Sequence, residues 1–145
     1  AALNEDPNTT LLILPSDHLI ENDENFVNSV MNARTLADEG CLVAFGIKPS
    51  GVETGYGYLK KGKREKQGFQ IDKFVEKPSY QKAKEYVNSK EYFWNSGVYL
   101  FKAGVYLNEL KKYEPKVDLL RLFAMTKVKF LLDNKYILTE LKKIS

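Results

Sequence analysis

The run Leu11-Leu12-Ile13-Leu14 stops at Pro15 and is followed by Ser16, Asp17 and His18. Four consecutive apolar residues closed by a proline read as a strand buried on both faces, the kind found in parallel sheets. Downstream, Phe26, Val30, Ala33 and Ala37 recur at the spacing of one helix face. Asp23 is placed to cap that helix, Glu24 adds to its acidic start, and Gly40 suits its end near residue 39. Residues 41–47, CLVAFGI, form a second apolar run. Strand, helix and strand in this order predict a βαβ unit whose two strands are parallel neighbours. Such strands offer ligand sites at their carboxyl ends. Asp17 lies at such an end, where a carboxylate can hold a divalent metal beside a phosphate. By itself the segment reads rather as a loop aspartate closing a turn.

Residues 48–57 are a Pro- and Gly-containing loop. Residues 57–60 and 69–75 predict antiparallel strands joined by a basic loop, and Pro78 ends the second. Ser79 caps a predicted helix to about residue 89, with Ala83, Tyr86 and Val87 facing inward. A strand is predicted at residues 98–101 and a helix at residues 103–113, before Pro115. Ala1-Ala2-Leu3 reads as the end of a helix. The whole predicts an α/β fold with a mixed, mainly parallel sheet.

The 145 residues suffice for one modest domain. Cys41 is the only cysteine, which excludes an internal disulfide and a cysteine-based zinc site. His18 is the only histidine, which removes most histidine-dependent catalysis. Beside a loop Asp it reads as a structural hydrogen-bonding residue. No apolar run reaches the length of a membrane span and no signal peptide is visible, so the expected location is the cytoplasm. Residues 1–115 carry 15 Lys and Arg against 16 Asp and Glu. A body so nearly neutral argues against a nucleic-acid-binding face. The run Lys60-Lys61-Gly62-Lys63-Arg64-Glu65-Lys66 reads as a solvated hairpin loop rather than an RNA or phosphate patch.

Three further segments carry residue types suited to chemistry. In Glu53-Thr54-Gly55-Tyr56-Gly57-Tyr58, glycines on both sides of a tyrosine permit close backbone approach and positive φ. In Phe74-Val75-Glu76-Lys77-Pro78, a strand delivers an acid and a base to its end. Glutamate can accept two sugar hydroxyls, and a lysine ammonium can bind a phosphate. In Trp94-Asn95-Ser96-Gly97, the Asn amide both donates and accepts. Each segment alone also reads as ordinary loop, surface or turn. Together with Asp17 they suit a phosphorylated sugar. No serine–histidine or cysteine–histidine nucleophile arrangement accompanies them.

On these motifs (LLILPSDHLI, FGIKPSGVETGYGYL, FVEKP and WNSGVYLFKA) the chain resembles the middle of a sugar-nucleotide pyrophosphorylase. Within that superfamily it is most similar to the mannose-1-phosphate guanylyltransferases. The resemblance runs over residues 1–117. It implies a Rossmann-like nucleotidyltransferase fold, incomplete in this chain, that makes GDP-mannose and pyrophosphate from GTP and mannose 1-phosphate. It implies that Asp17 coordinates Mg²⁺ and that Gly55 and the backbone around it, at Tyr56, contact the sugar. Glu76 and Asn95 would then hold sugar hydroxyls, and Lys77 the sugar phosphate. Asp17 and Lys77 become the catalytic pair.

The family's glycine-rich triphosphate loop has no counterpart in this sequence, and neither Asp118 nor Asp133 sits in the motif of its second metal-binding aspartate. Residues 118–145 do not resemble the family and read as an apolar, basic, helical tail. The isolated chain is therefore expected to be inactive or nearly so, and to expose apolar surface that drives self-association. Two other readings stay open: a pyrophosphorylase for another hexose 1-phosphate, and a non-catalytic regulatory homologue.

Overall fold

The structure, a computed structural model, describes residues 6–113 and 128–131. Six strands and three helices follow one another as β1 (Thr10–Ile13), α1 (Asp23–Asp38), β2 (Leu42–Ile47), β3 (Gly57–Glu65), β4 (Gly68–Glu76), α2 (Tyr80–Ser89), β5 (Tyr92–Lys102), α3 (Ala103–Tyr113) and β6 (Val128–Leu131). They form one sheet of order β1-β5-β2-β6-β4-β3, in which β3 also pairs with β5.

The expected mainly parallel sheet is not what forms. Among the described residues only β2 and β6 pair in parallel; the β1–β5, β2–β5, β3–β4, β3–β5 and β4–β6 pairings are antiparallel. β1 and β2 do point the same way, as a βαβ unit requires, but β5 lies between them and opposes both. Ile13 faces Tyr99 across one edge of β5, and Val43 faces Leu100 across the other. The inserted strand comes from far along the chain, so nothing in the local pattern reveals it.

β1 is also not buried on both faces. None of its residues is fully buried, and Ile13 and the following Leu14 are 42% and 48% exposed. Its one strand neighbour among the described residues is β5, so it forms an edge. β2 is the strand that is buried on both faces. Val43 and Phe45 join Ala33, Leu36 and Ala37 of α1, while Leu42 and Ala44 turn to the opposite face with Phe101 and the α3 residues Val105 and Tyr106. A third cluster joins Ile47, Tyr58 and Trp94 to Ala83 of α2.

Caps fix the helix ends. Asn22, rather than Asp23, caps α1 by accepting from the Asn25 N–H. Gly40, at φ 84°, turns the chain out of that helix. Ser79 caps α2 as expected, accepting from the Lys82 N–H.

The hairpin is longer than its charge suggested. The basic run belongs mostly to β3, and the turn is only Lys66-Gln67, with Lys66 at φ 51°. Strand pairing on one edge tolerates charged residues whose side chains point to solvent. β5 likewise begins at Tyr92, six residues before the predicted strand. Ala1-Ala2-Leu3 and most of residues 118–145 lie outside the described residues. The four described residues of that tail, Val128–Leu131, are strand rather than helix. Among the described residues no helix is long and apolar enough to cross a membrane.

Candidate active site

The segment 94–97 builds an irregularity that positions Asn95. Ala44 of β2 faces Tyr99 while Gly46 faces Asn95, so β5 carries extra residues against its partner. Such a bulge re-aims side chains. Gly97 supplies the left-handed backbone the bulge needs, at φ 73°. Ser96 replaces the lost ladder bonds: its buried hydroxyl donates to the Phe45 carbonyl at 2.7 Å and accepts from the Val98 N–H at 3.1 Å. Asn95 is then held at both ends. Its Nδ2 donates to the Tyr99 hydroxyl at 2.9 Å, and its Oδ1 accepts from the Gly97 N–H at 3.3 Å. One amide N–H remains for a ligand.

Glu76 ends β4 directly opposite Gly57. A Cβ at Gly57 would lie 2.7 Å from Glu76 Oε2, so the carboxylate rests on the bare Cα of the glycine. Neither Gly55 nor Gly57 adopts positive φ. The expected conformational reason for these glycines gives way to a steric one at Gly57, and Gly55 stands in open space. Lys77 has φ 44°, a conformation that costs a non-glycine residue energy and that clusters at functional sites. Its N–H donates to the Tyr56 carbonyl at 3.1 Å, which anchors the turn to the 53–58 loop. That loop is itself tied down by buried Tyr58, whose hydroxyl donates to the Glu53 carbonyl at 2.8 Å and accepts from the Glu53 N–H. Among the described residues the Glu76 and Lys77 side chains make no hydrogen bond or ion pair with protein groups, and both are exposed.

Tyr56, just before β3, Glu76 and Lys77, at and just after the end of β4, and Asn95 of β5 thus come from neighbouring positions. Trp94 binds them together: it pairs with Ile47 on one side and Tyr58 on the other, and its ring meets that of Tyr56 edge-on at 5.2 Å. Its Nε1 is buried without a hydrogen-bond partner among the described residues. A buried indole N–H of this kind calls for an acceptor. The sequence motif 94–97 gave a role to Asn95 and none to Trp94.

Asp17 is joined less directly. Pro15, two residues earlier, packs against Gly97, where a Cβ would sit 3.2 Å from the proline Cγ. Asp17 itself is 56% exposed and 3.8 Å from His18 Nε2. His18 Nδ1 is buried and unpartnered among the described residues, against the expected structural hydrogen bond. No group of three His, Cys, Asp or Glu side chains among the described residues could cage a metal. A lone carboxylate still fits Mg²⁺, which binds through one or two carboxylates plus substrate phosphates.

A model of the nucleotidyl transferase family matches residues 1–129. The chain belongs to that family. It is 43% identical over 117 residues to a putative mannose-1-phosphate guanylyltransferase of Vibrio cholerae, covering 80% of this chain and 25% of that protein. It is 46% identical over 112 residues to the mannose-1-phosphate guanylyltransferase of Escherichia coli, covering 74% and 23%. The chain therefore spans about a quarter of the length of these relatives. Among solved structures, one described as a mannose-1-phosphate geranyltransferase from Thermus thermophilus superposes with a TM-score of 0.73 at 30% identity, over 84% of this chain and 44% of that one. Nucleotidyltransferases of this family generally use a divalent metal.

Proposed function

We propose that this chain is the sugar-phosphate-binding part of a mannose-1-phosphate guanylyltransferase, which joins GTP and mannose 1-phosphate to give GDP-mannose and pyrophosphate. The observation that carries this reading is the adjacency of a carboxylate and an ammonium, Glu76 and Lys77, both without a side-chain partner among the described residues, on a backbone clamp formed by Gly57 and Tyr56. A sugar phosphate offers complementary groups, hydroxyls to the carboxylate and phosphate to the ammonium. Asn95 offers a further donor to a hydroxyl, and exposed Gly55, beside half-buried Tyr56, leaves room for the ring.

The chemistry is an in-line attack by a phosphate oxygen of the sugar phosphate on the α-phosphorus of GTP. Both reactants are anions, so their mutual repulsion dominates the barrier. Lys77 lowers it by compensating charge on the nucleophilic phosphate, and the fixed sugar removes orientational entropy. Mg²⁺, held by Asp17 and the nucleotide phosphates, would supply further charge neutralisation when bound. No covalent enzyme intermediate is required. The expected setting is the cytoplasm. Exposed Ile13, Leu14, Val27 and Met31 supply apolar surface for self-association.

Calorimetric titration with mannose 1-phosphate and with glucose 1-phosphate tests the assignment. Mannose 1-phosphate binds the chain more tightly, and Lys77→Ala abolishes that binding. Preference for glucose 1-phosphate shifts the assignment to another hexose, and indifference of the affinity to Lys77→Ala removes it. Pyrophosphate release from GTP and mannose 1-phosphate by the isolated chain is expected to be negligible, and robust turnover contradicts the division of the site assumed above.

A further inference from the structure

The basic hairpin is not merely solvated. A cavity of about 310 Å³ opens where β3 and β4 meet the end of α2, and its wall includes Lys48, Lys61, Arg64 and Lys90. None of Glu76, Lys77 or Asn95 belongs to it. The four cations come from three separate places: the loop after β2, the strand β3, and the residue that ends α2. Each approaches the same space.

The neighbouring cations are neutralised and these are not. Lys60 pairs with Asp72 at 3.0 Å, Lys66 with Glu39, and Lys82 with Glu85 at 3.1 Å. Among the described residues none of Lys48, Lys61, Arg64 and Lys90 makes an ion pair, and no acidic side chain lines the cavity. Four like charges around one concavity repel, and low-dielectric walls concentrate their field.

Three aromatic residues, Phe69, Tyr92 and Phe93, complete the wall. Lys61 Nζ stands 5.1 Å and Arg64 Cζ 5.9 Å from the ring centroid of Phe69, which steadies both cations over an apolar base. Tyr92 is locked by stacking on Tyr86, with centroids 4.0 Å apart. Lys90 is held in the left-handed conformation, φ 59°, with its N–H on the Val87 carbonyl. The site is thus built on packed elements and has a volume near the lower end of small-molecule pockets. That volume suits a pair of linked phosphates with a small organic group, and not a nucleic-acid duplex.

We propose that this cavity is a second anion site, separate from the sugar-phosphate site, that binds a pyrophosphate group, either free or carried by a nucleoside diphosphate. The assignment does not depend on which sugar the first site takes.

The test is calorimetric titration of the whole chain with inorganic pyrophosphate and, in parallel, with GDP, both without added metal. Three variants are compared: Lys61→Ala/Arg64→Ala, Lys90→Gly and Lys77→Ala. Lys90→Gly removes a cation at a backbone position that glycine adopts readily, so it retains the fold. Pyrophosphate binding is expected to weaken about tenfold or more in the double variant, to weaken in Lys90→Gly, and to be unchanged in Lys77→Ala. Rising salt should weaken it further. Equal affinities for the two probes support the free anion as ligand, and tighter GDP binding supports the nucleotide. Absence of pyrophosphate binding, affinity indifferent to both hairpin and Lys90 changes, or loss of binding in Lys77→Ala would each overturn the proposal.

Discussion

Replacing Gly57 by alanine tests whether the glycine serves the backbone or its neighbour Glu76. Position 57 lies in β3 without positive φ, so alanine is conformationally acceptable. On that account alone the change would stabilise the fold by about 0.4–1 kcal/mol through the unfolded chain. The new Cβ, however, meets Glu76 Oε2 at 2.7 Å and Phe74 Cζ at 3.0 Å. The carboxylate is the free end of a flexible side chain and swings away at little cost. Phe74 packs against the core cluster of Leu42, Leu59 and Phe101 and must shift by a few tenths of an ångström. Overpacking of this kind costs about 1–3 kcal/mol. The net change in stability is therefore small, about 1 kcal/mol of destabilisation.

Binding suffers more. A displaced Glu76 loses charge-assisted hydrogen bonds worth about 1.5–3 kcal/mol, or roughly tenfold to a hundredfold in Kd for mannose 1-phosphate. Calorimetric titration and urea unfolding on Gly57→Ala, Glu76→Ala and the double variant separate the two effects. Because the glycine acts on ligand through the glutamate, the double variant should bind no more weakly than Glu76→Ala alone. Unchanged affinity in Gly57→Ala, or additive losses in the double variant, refutes the reasoning.

Lys77→Gly should raise the urea midpoint, by relieving about 1 kcal/mol of left-handed strain, while eliminating sugar-phosphate binding. Tyr58→Phe strips both Glu53 backbone groups of their partner and should cost about 1–3 kcal/mol in chemical denaturation, with faster proteolysis in the 53–55 loop. Burial, reinforced by the neighbouring Tyr86, raises the Tyr92 phenol above its ordinary value of 10. The folded state thus favours the neutral ring. The associated stability is complete below about pH 10 and is lost as pH climbs through the folded value. Tyr92→Phe should accordingly flatten the alkaline limb of a stability–pH profile; an unchanged limb rules out this contribution.

The helices were legible because their signals are local. Ser79 and Gly40 act within a turn of where they stand, and Phe26, Val30, Ala33 and Ala37 all face the core as their spacing requires. The end of β4 at Glu76 was legible for the same reason, since a strand ending in an acid, a base and a proline announces its exit. Strand order was not legible. The insertion of β5 between β1 and β2 depends on a strand that begins 45 positions after β2 ends and further still from β1. Asn95-Ser96-Gly97 reads as a break because its residues favour turns, yet Ser96 and Gly97 keep β5 continuous by furnishing a bulge. The duty of Gly57 was equally hidden, because it is defined by an atom on the opposite strand. Asp17 was expected at a strand end; β1 stops at Ile13, four residues earlier, and Asp17 stands in an exposed turn beyond the edge strand rather than in a deep crevice.

β5 contributes to each of the three hydrophobic clusters among the described residues: Val98 and Leu100 to the one under α1, Phe93, Tyr99 and Phe101 to the one facing α3, and Trp94 to the one beneath α2. It also shares hydrogen bonds with β1, β2 and β3. No cluster can open independently while that strand stays in place. Local fluctuation is thereby converted into an all-or-none event, and the amides of Trp94 and Val98 should exchange with solvent only at the rate of global unfolding. A binding surface anchored in this strand recognises its ligand as a rigid template, whereas the hairpin tip and the exposed β1 edge retain freedom to adjust.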